Sequence, residues 1–126
     1  MKMIAVIEDS EAVAEVTARL LRELGFEASV APDADGLRSL LADGGVAGII
    51  LDWELPKRGA LEALTALVEL PSSKRPVTIL TMTEFSEDQF ALAKAAGARH
   101  SVIKPYDKAD LAAALTKTGL LEESAG

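Results

Sequence analysis

The sequence predicts a doubly wound α/β domain, a five-stranded parallel sheet with helices on both faces. Short apolar runs alternate with amphipathic stretches five times along the chain. Most of those runs are continuously apolar, as expected of strands buried on both faces. Gly, Pro, Ser or Asp punctuates the junctions between them. Strand–helix alternation of this kind implies parallel strands joined by right-handed crossovers.

The first strand is "MIAVI", residues 3–7. Ser10 can cap a helix in which Val13, Val16, Leu20, Leu21 and Leu24 recur at helical spacing, and Gly25 stops it. "FEASVA", 26–31, alternates Phe26, Ala28 and Val30 as a half-buried strand. Asp33 or Asp35 can cap a second helix carrying Leu37, Leu40 and Leu41, closed by Gly44-Gly45 ahead of the strand "VAGIIL". Leu61, Leu64, Leu67 and Val68 form a third helical stripe ended by Pro71, and "PVTIL", 76–80, is the fourth strand. Ser86 and Gln89 have capping-box spacing at the head of a helix with Phe90, Ala93 and Ala96, which stops at Gly97. "SVI", 101–103, is the fifth strand, and Asp107 caps a last helix with Leu111 and Leu115. The 126 residues read as one domain with its core at about 3–118, and the tail 119–126 is expected to fray.

Composition excludes several classes. There is no Cys, hence no disulfide framework and no thiolate metal site. The N-terminus turns acidic after seven residues and no apolar run approaches membrane-spanning length, so a cytoplasmic protein is expected. With 20 acidic against 13 basic residues the net charge is −7, which disfavours direct nucleic-acid binding and suits attraction of divalent cations.

Why the apolar run 46–51 ends on Asp52 is answered by what else reaches the same rim. Parallel strands send their C-terminal ends to one edge of the sheet, where ligands of such folds bind. The first strand delivers Glu8 and Asp9, the third Asp52, the fourth Thr81, and the fifth Lys104 before Pro105. Crowded carboxylates raise one another's pKa unless a cation neutralises them, and Mg²⁺ suits an all-oxygen set. Asp52 can then act as a nucleophile toward phosphorus, with Lys104 and Thr81 stabilising the phosphoryl oxygens.

Over roughly residues 3–118 the sequence resembles the receiver domain of two-component response regulators. The matching motifs are "VIEDS", "ILDWELP", "PVTILT", "AAGA" and "IKPY", in order, each at the expected strand end or turn. The resemblance implies a flavodoxin-like (βα)5 fold with strand order 2-1-3-4-5. It implies that Asp52 accepts a phosphoryl group from a histidine kinase or phosphotransfer protein and thereby switches partner binding. Mg²⁺ is then held by Glu8, Asp9, Asp52 and the backbone carbonyl of Glu54, Thr81 and Lys104 touch the phosphoryl group, and Lys104-Pro105 is a cis peptide. No enzymatic activity is expected beyond self-phosphorylation and self-dephosphorylation. A downstream protein target, an output domain elsewhere, or a homodimer through the fourth helix, fifth strand and fifth helix is the expected partner.

The sequence departs from the family at Ser101, which stands where a switch aromatic is usual, with Tyr106 two residues after Lys104. Met82 replaces a small residue after Thr81 and is expected to restrict access to the phosphoryl group, slowing its loss. Ser101, Tyr106 and Met82 are therefore the candidate switch and output positions. Thr83 is a rival to Thr81, the latter being preferred by its spacing from Pro76. Gly59 and Ala60 suggest a rearranged loop before the third helix, and the Glu54 side chain could reach the metal or oppose a phosphodonor. Trp53, beside the site, is expected to report Mg²⁺ by fluorescence. A module with the same fold that signals without phosphorylation is the main alternative. A topoisomerase-primase type enzyme lacks its basic surface here, a haloacid-dehalogenase phosphatase its Asp-x-Asp and cap, and a flavin carrier its phosphate loop.

Overall fold

The computed structural model describes residues 1–122. Five strands, β1 (Met3–Ile7), β2 (Glu27–Ala31), β3 (Val46–Asp52), β4 (Val77–Met82) and β5 (His100–Ile103), pair in parallel in the order β2-β1-β3-β4-β5. Five helices alternate with them: α1 (Glu11–Glu23), α2 (Ala34–Asp43), α3 (Gly59–Val68), α4 (Glu87–Ala95) and α5 (Lys108–Thr118). The chain passes from β1 outward to β2, then back across β1 to β3, so strand order reverses between β1 and β3.

Side chains alternate across the sheet, and the two faces have separate cores. On one face Ile4, Val6, Ile50, Ile79 and Val102 pack against Ala14 and Leu21 of α1 and Leu111, Ala114 and Leu115 of α5. On the other, Ala5, Ile7, Ile49, Leu51, Leu80 and Met82 meet Leu37 of α2, Ala63, Leu64 and Leu67 of α3, and Ala93 of α4.

Four expectations change. The buried stripe of α1 is Ala14, Thr17, Ala18 and Leu21, whereas Val13 and Val16 are exposed. Small residues let α1 approach the sheet closely, and the valines flank that contact. Val30 is exposed because β2 is an edge strand with a neighbour on one side only, and the strand starts after Phe26. Strand β4 runs two residues beyond its expected end, which brings Thr81 and Met82 into the ladder. Leu120 and Leu121 pack against the α1/α5 core rather than fraying. Gly119, at φ 85°, takes the left-handed turn that closes α5, and the Leu121 N–H reaches back to the Leu115 carbonyl at 3.2 Å. The remainder of the tail, 123–126, lies outside the described residues.

Before α3, a 3-10 turn at Pro56–Arg58 carries Lys57 and Arg58 in the left-handed region, and Gly59 opens the helix. A Cβ at Gly59 would lie 3.0 Å from Leu55 Cβ, so the small residue permits that close turn.

Candidate phosphoryl-acceptor and cation site

Strand parity builds the site. Glu8 continues the alternation of Ile4 and Val6, Asp52 that of Ile50, Thr81 that of Ile79, and Lys104 that of Val102. All four therefore leave their strands toward the α1/α5 face. Register adds closeness: Asp52 pairs directly with Thr81, and Glu8 follows Ile7, the partner of Leu51. The four side chains converge at the C-terminal edge of the sheet where strand order reverses, the ligand position of open α/β sheets.

Asp52 is 3% exposed, Glu8 6% and Thr81 2%. Asp52 Oδ1 accepts the Glu54 N–H at 2.9 Å and lies 3.2 Å from Lys104 Nζ. Lys104 Nζ also donates to Glu8 Oε1 at 3.0 Å, while Glu8 Oε2 accepts the Ser10 N–H at 3.2 Å. The ammonium thus bridges two buried carboxylates, which answers how a strand can end on Asp52. Burial pushes the Glu8 carboxyl above its ordinary value, and the bonds from Lys104 and Ser10 offset only part of that. Burial draws the Lys104 ammonium down, but the bond to Glu8 and the charge of Asp52 outweigh it, and its pKa ends above the ordinary value. Lys104 is held by its own N–H, which donates to the Met82 carbonyl at 2.8 Å, and its bond to Pro105 is cis.

Glu8, Asp9 and Asp52 each bring a carboxylate oxygen within 4.8 Å of the others. Two of the three are buried and Asp9 is exposed, so the cluster opens to solvent on one side. One ammonium against three carboxylates leaves the site with an excess of negative charge. An all-oxygen, anionic, solvent-facing cluster fits a hard divalent ion that retains water.

The other sequence candidates fall elsewhere. Met82 is 4% exposed and packs in the α2/α3/α4 core, on the face opposite Thr81. It is neither at the mouth of the site nor on an output surface, because strand alternation sends it with Leu80. Tyr106 is tied to α1, its hydroxyl 2.6 Å from Thr17 Oγ1, and packs against the α1/α5 core instead of facing α4. Ser101 lines a groove between α4 and α5 with Phe90, Ile103, Asp110 and Lys117. The Glu54 carboxylate accepts a hydrogen bond from Thr83, so it points to the β4–α4 loop, not into the acidic cluster. Trp53 is half-buried and donates its indole N–H to Gln89 Oε1 at 3.1 Å, a contact no sequence spacing announced. Among the described residues no helix is long and apolar enough to cross a membrane.

The family described as "Response regulator receiver domain" matches residues 4–116. Chemotaxis protein CheY-3 of Vibrio cholerae serotype O1 is 27% identical over 116 residues, covering 90% of this chain and 88% of that protein. The phosphate regulon transcriptional regulatory protein PhoB of Rhizobium meliloti is 30% identical over 110 residues, which are 87% of this chain and 48% of that protein. Among solved structures, chemotaxis protein CheY4 of Vibrio cholerae superposes with a TM-score of 0.86 at 22% identity, over 93% of this chain and 98% of the other. A response regulator receiver protein of Burkholderia phymatum superposes with a TM-score of 0.81 at 20% identity, over 99% and 100% of the two chains. At those identities the superpositions establish the fold.

Proposed function

The chain belongs to the response regulator receiver domain family, and from that premise we propose that Asp52 accepts a phosphoryl group from a histidine kinase or phosphotransfer protein, with Mg²⁺ required. The observation that carries the reading is the buried Asp52 carboxylate, oriented by the Glu54 N–H and Lys104 and paired in register with Thr81. With Oδ1 engaged, Oδ2 attacks the phosphorus of a phosphoimidazole. The new O–P bond forms as the N–P bond breaks, and the leaving imidazole nitrogen takes up a proton from water. Lys104 follows the negative charge from the carboxylate to the phosphoryl oxygens, and the Thr81 hydroxyl donates to one of them. Glu8, Asp9, Asp52 and the Glu54 carbonyl are the proposed Mg²⁺ ligands. When bound, the ion supplies charge neutralisation that lets two anions meet.

The domain catalyses no reaction on a separate substrate in this reading, only the gain and slow loss of its own phosphoryl group. The groove at Ser101 between α4 and α5 is the proposed surface for a downstream protein, an output domain or a second copy. Intact mass after incubation with acetyl phosphate tests the chemistry. One phosphoryl adduct is expected with Mg²⁺, none with chelator, and none in Asp52→Asn. An unmodified but folded wild type would favour signalling without phosphorylation.

A further inference from the structure

Gln89 has two candidate partners for its carboxamide oxygen, and only one of them is engaged. It lies three residues after Ser86, the N-cap of α4, whose hydroxyl accepts the Gln89 N–H at 3.4 Å. The reciprocal half of a capping box, the Gln89 side chain accepting the Ser86 N–H, is not made among the described residues. In α5 the corresponding exchange is complete, with Asp107 and Asp110 each accepting the other's N–H. In α4 the Gln89 oxygen is instead taken by the Trp53 indole. An indole N–H and a backbone N–H are both donors only, so each requires Oε1 and neither can use the amide nitrogen.

The two partners sit at informative places. Trp53 follows Asp52, and its backbone N–H donates to the Thr81 carbonyl at 2.8 Å. Ser86 begins the helix that borders the Ser101 groove through Phe90. A second link, Thr83 to Glu54, spans the same gap between the β3–α3 and β4–α4 loops. Both links join the segment carrying the phosphoacceptor to the segment carrying α4.

We propose that Gln89 is a two-position coupling residue: strapped to Trp53 while Asp52 is free, and returned to the Ser86 N–H when Asp52 carries a phosphoryl group. This inference deepens the function proposed above and rests on it for its trigger. Phosphoryl charge on Asp52 repels the Glu54 carboxylate and draws the Thr81 hydroxyl inward, which parts the loops that the two links join. The capped state returns to Gln89 Oε1 the hydrogen bond it gives up with Trp53, so a modest difference in affinity between the states decides the outcome. The route reaches α4 without an aromatic at position 101.

Amide exchange across the first turn of α4 tests it, with adduct formation followed in parallel by intact mass. In wild type, protection at Ser86 to Gln89 is expected to rise roughly fivefold on phosphorylation, the equilibrium equivalent of one cap hydrogen bond. Trp53→Phe keeps an aromatic side chain but removes the donor, and should show the raised protection already without phosphate. Gln89→Ala removes both partners, and should stay low in both states. An adduct on Asp52 with unchanged protection, or Trp53→Phe behaving like wild type, overturns the coupling. Absence of any adduct overturns the phosphoacceptor reading instead, and the unphosphorylated Trp53→Phe comparison still decides the exchange.

Discussion

Met82 leaves β4 on the face opposite Thr81 and is buried among apolar neighbours. Its thioether therefore acts through packing. Met82→Ala is expected to lower folding stability by about 2–5 kcal/mol, measured by denaturant unfolding, because the removed atoms leave a cavity. The aspartyl-phosphate half-life, measured where both proteins are folded, should change little. An unaltered stability would place the side chain elsewhere. The signal that separates Met82 from the site was already present in the chain as strand alternation, since Thr81 shares parity with Ile79 and Met82 with Leu80. Tyr106 carried no such signal. Its partner Thr17 lies 89 residues away, and only packing of α1 beside the β5–α5 loop joins them.

Helix ends were the most legible elements, because their signals are local. Ser10, Asp33, Ser86 and Asp107 all occupy N-cap positions and accept the backbone N–H expected of each. The hydrogen bond from the Asp110 N–H holds the Asp107 carboxyl below the ordinary 3.8. Because the folded value is the lower one, the charged cap contributes fully above the unfolded value and is lost as pH falls through the folded one. Thermal midpoints of wild type and Asp107→Asn, which caps without titrating, should differ at neutral pH and converge in strong acid. The C-terminal turn was less legible. A Cβ added at Gly48 would meet Leu120 Cδ1 at 2.6 Å and Ile4 Cδ1 at 3.0 Å. Gly48→Ala is expected to cost about 1 kcal/mol, because the added methyl has to displace two side-chain ends, one of them on the terminal turn. Much of that cost should disappear in a Leu120→Ala background, a coupling read by a double-mutant cycle. Simple additivity would mean that Leu120 is not docked on β3.

Across the whole molecule, three carboxylates and one ammonium at the switch point leave a net negative site at one edge of the sheet. A bound cation stabilises only the folded chain, so Mg²⁺ at about a hundredfold excess over its Kd should add about 2.7 kcal/mol. Thermal melts should show the rise, chelator should reverse it, and Asp9→Asn should abolish most of it while leaving the metal-free midpoint near wild type, since Asp9 is exposed. The order of strands and helices, the caps, and the arrival of Glu8, Asp9, Asp52, Thr81 and Lys104 at one rim followed from the sequence alone. Those features depend on short-range periodicity and on the rule that parallel strands end together. The Lys104 bridge between Glu8 and Asp52, the inward face of Met82, the Thr17–Tyr106 bond and the Trp53–Gln89 strap were decided only by the tertiary structure. Each joins or separates groups on different elements, and those distances come from how helices pack on the sheet, which no local spacing encodes.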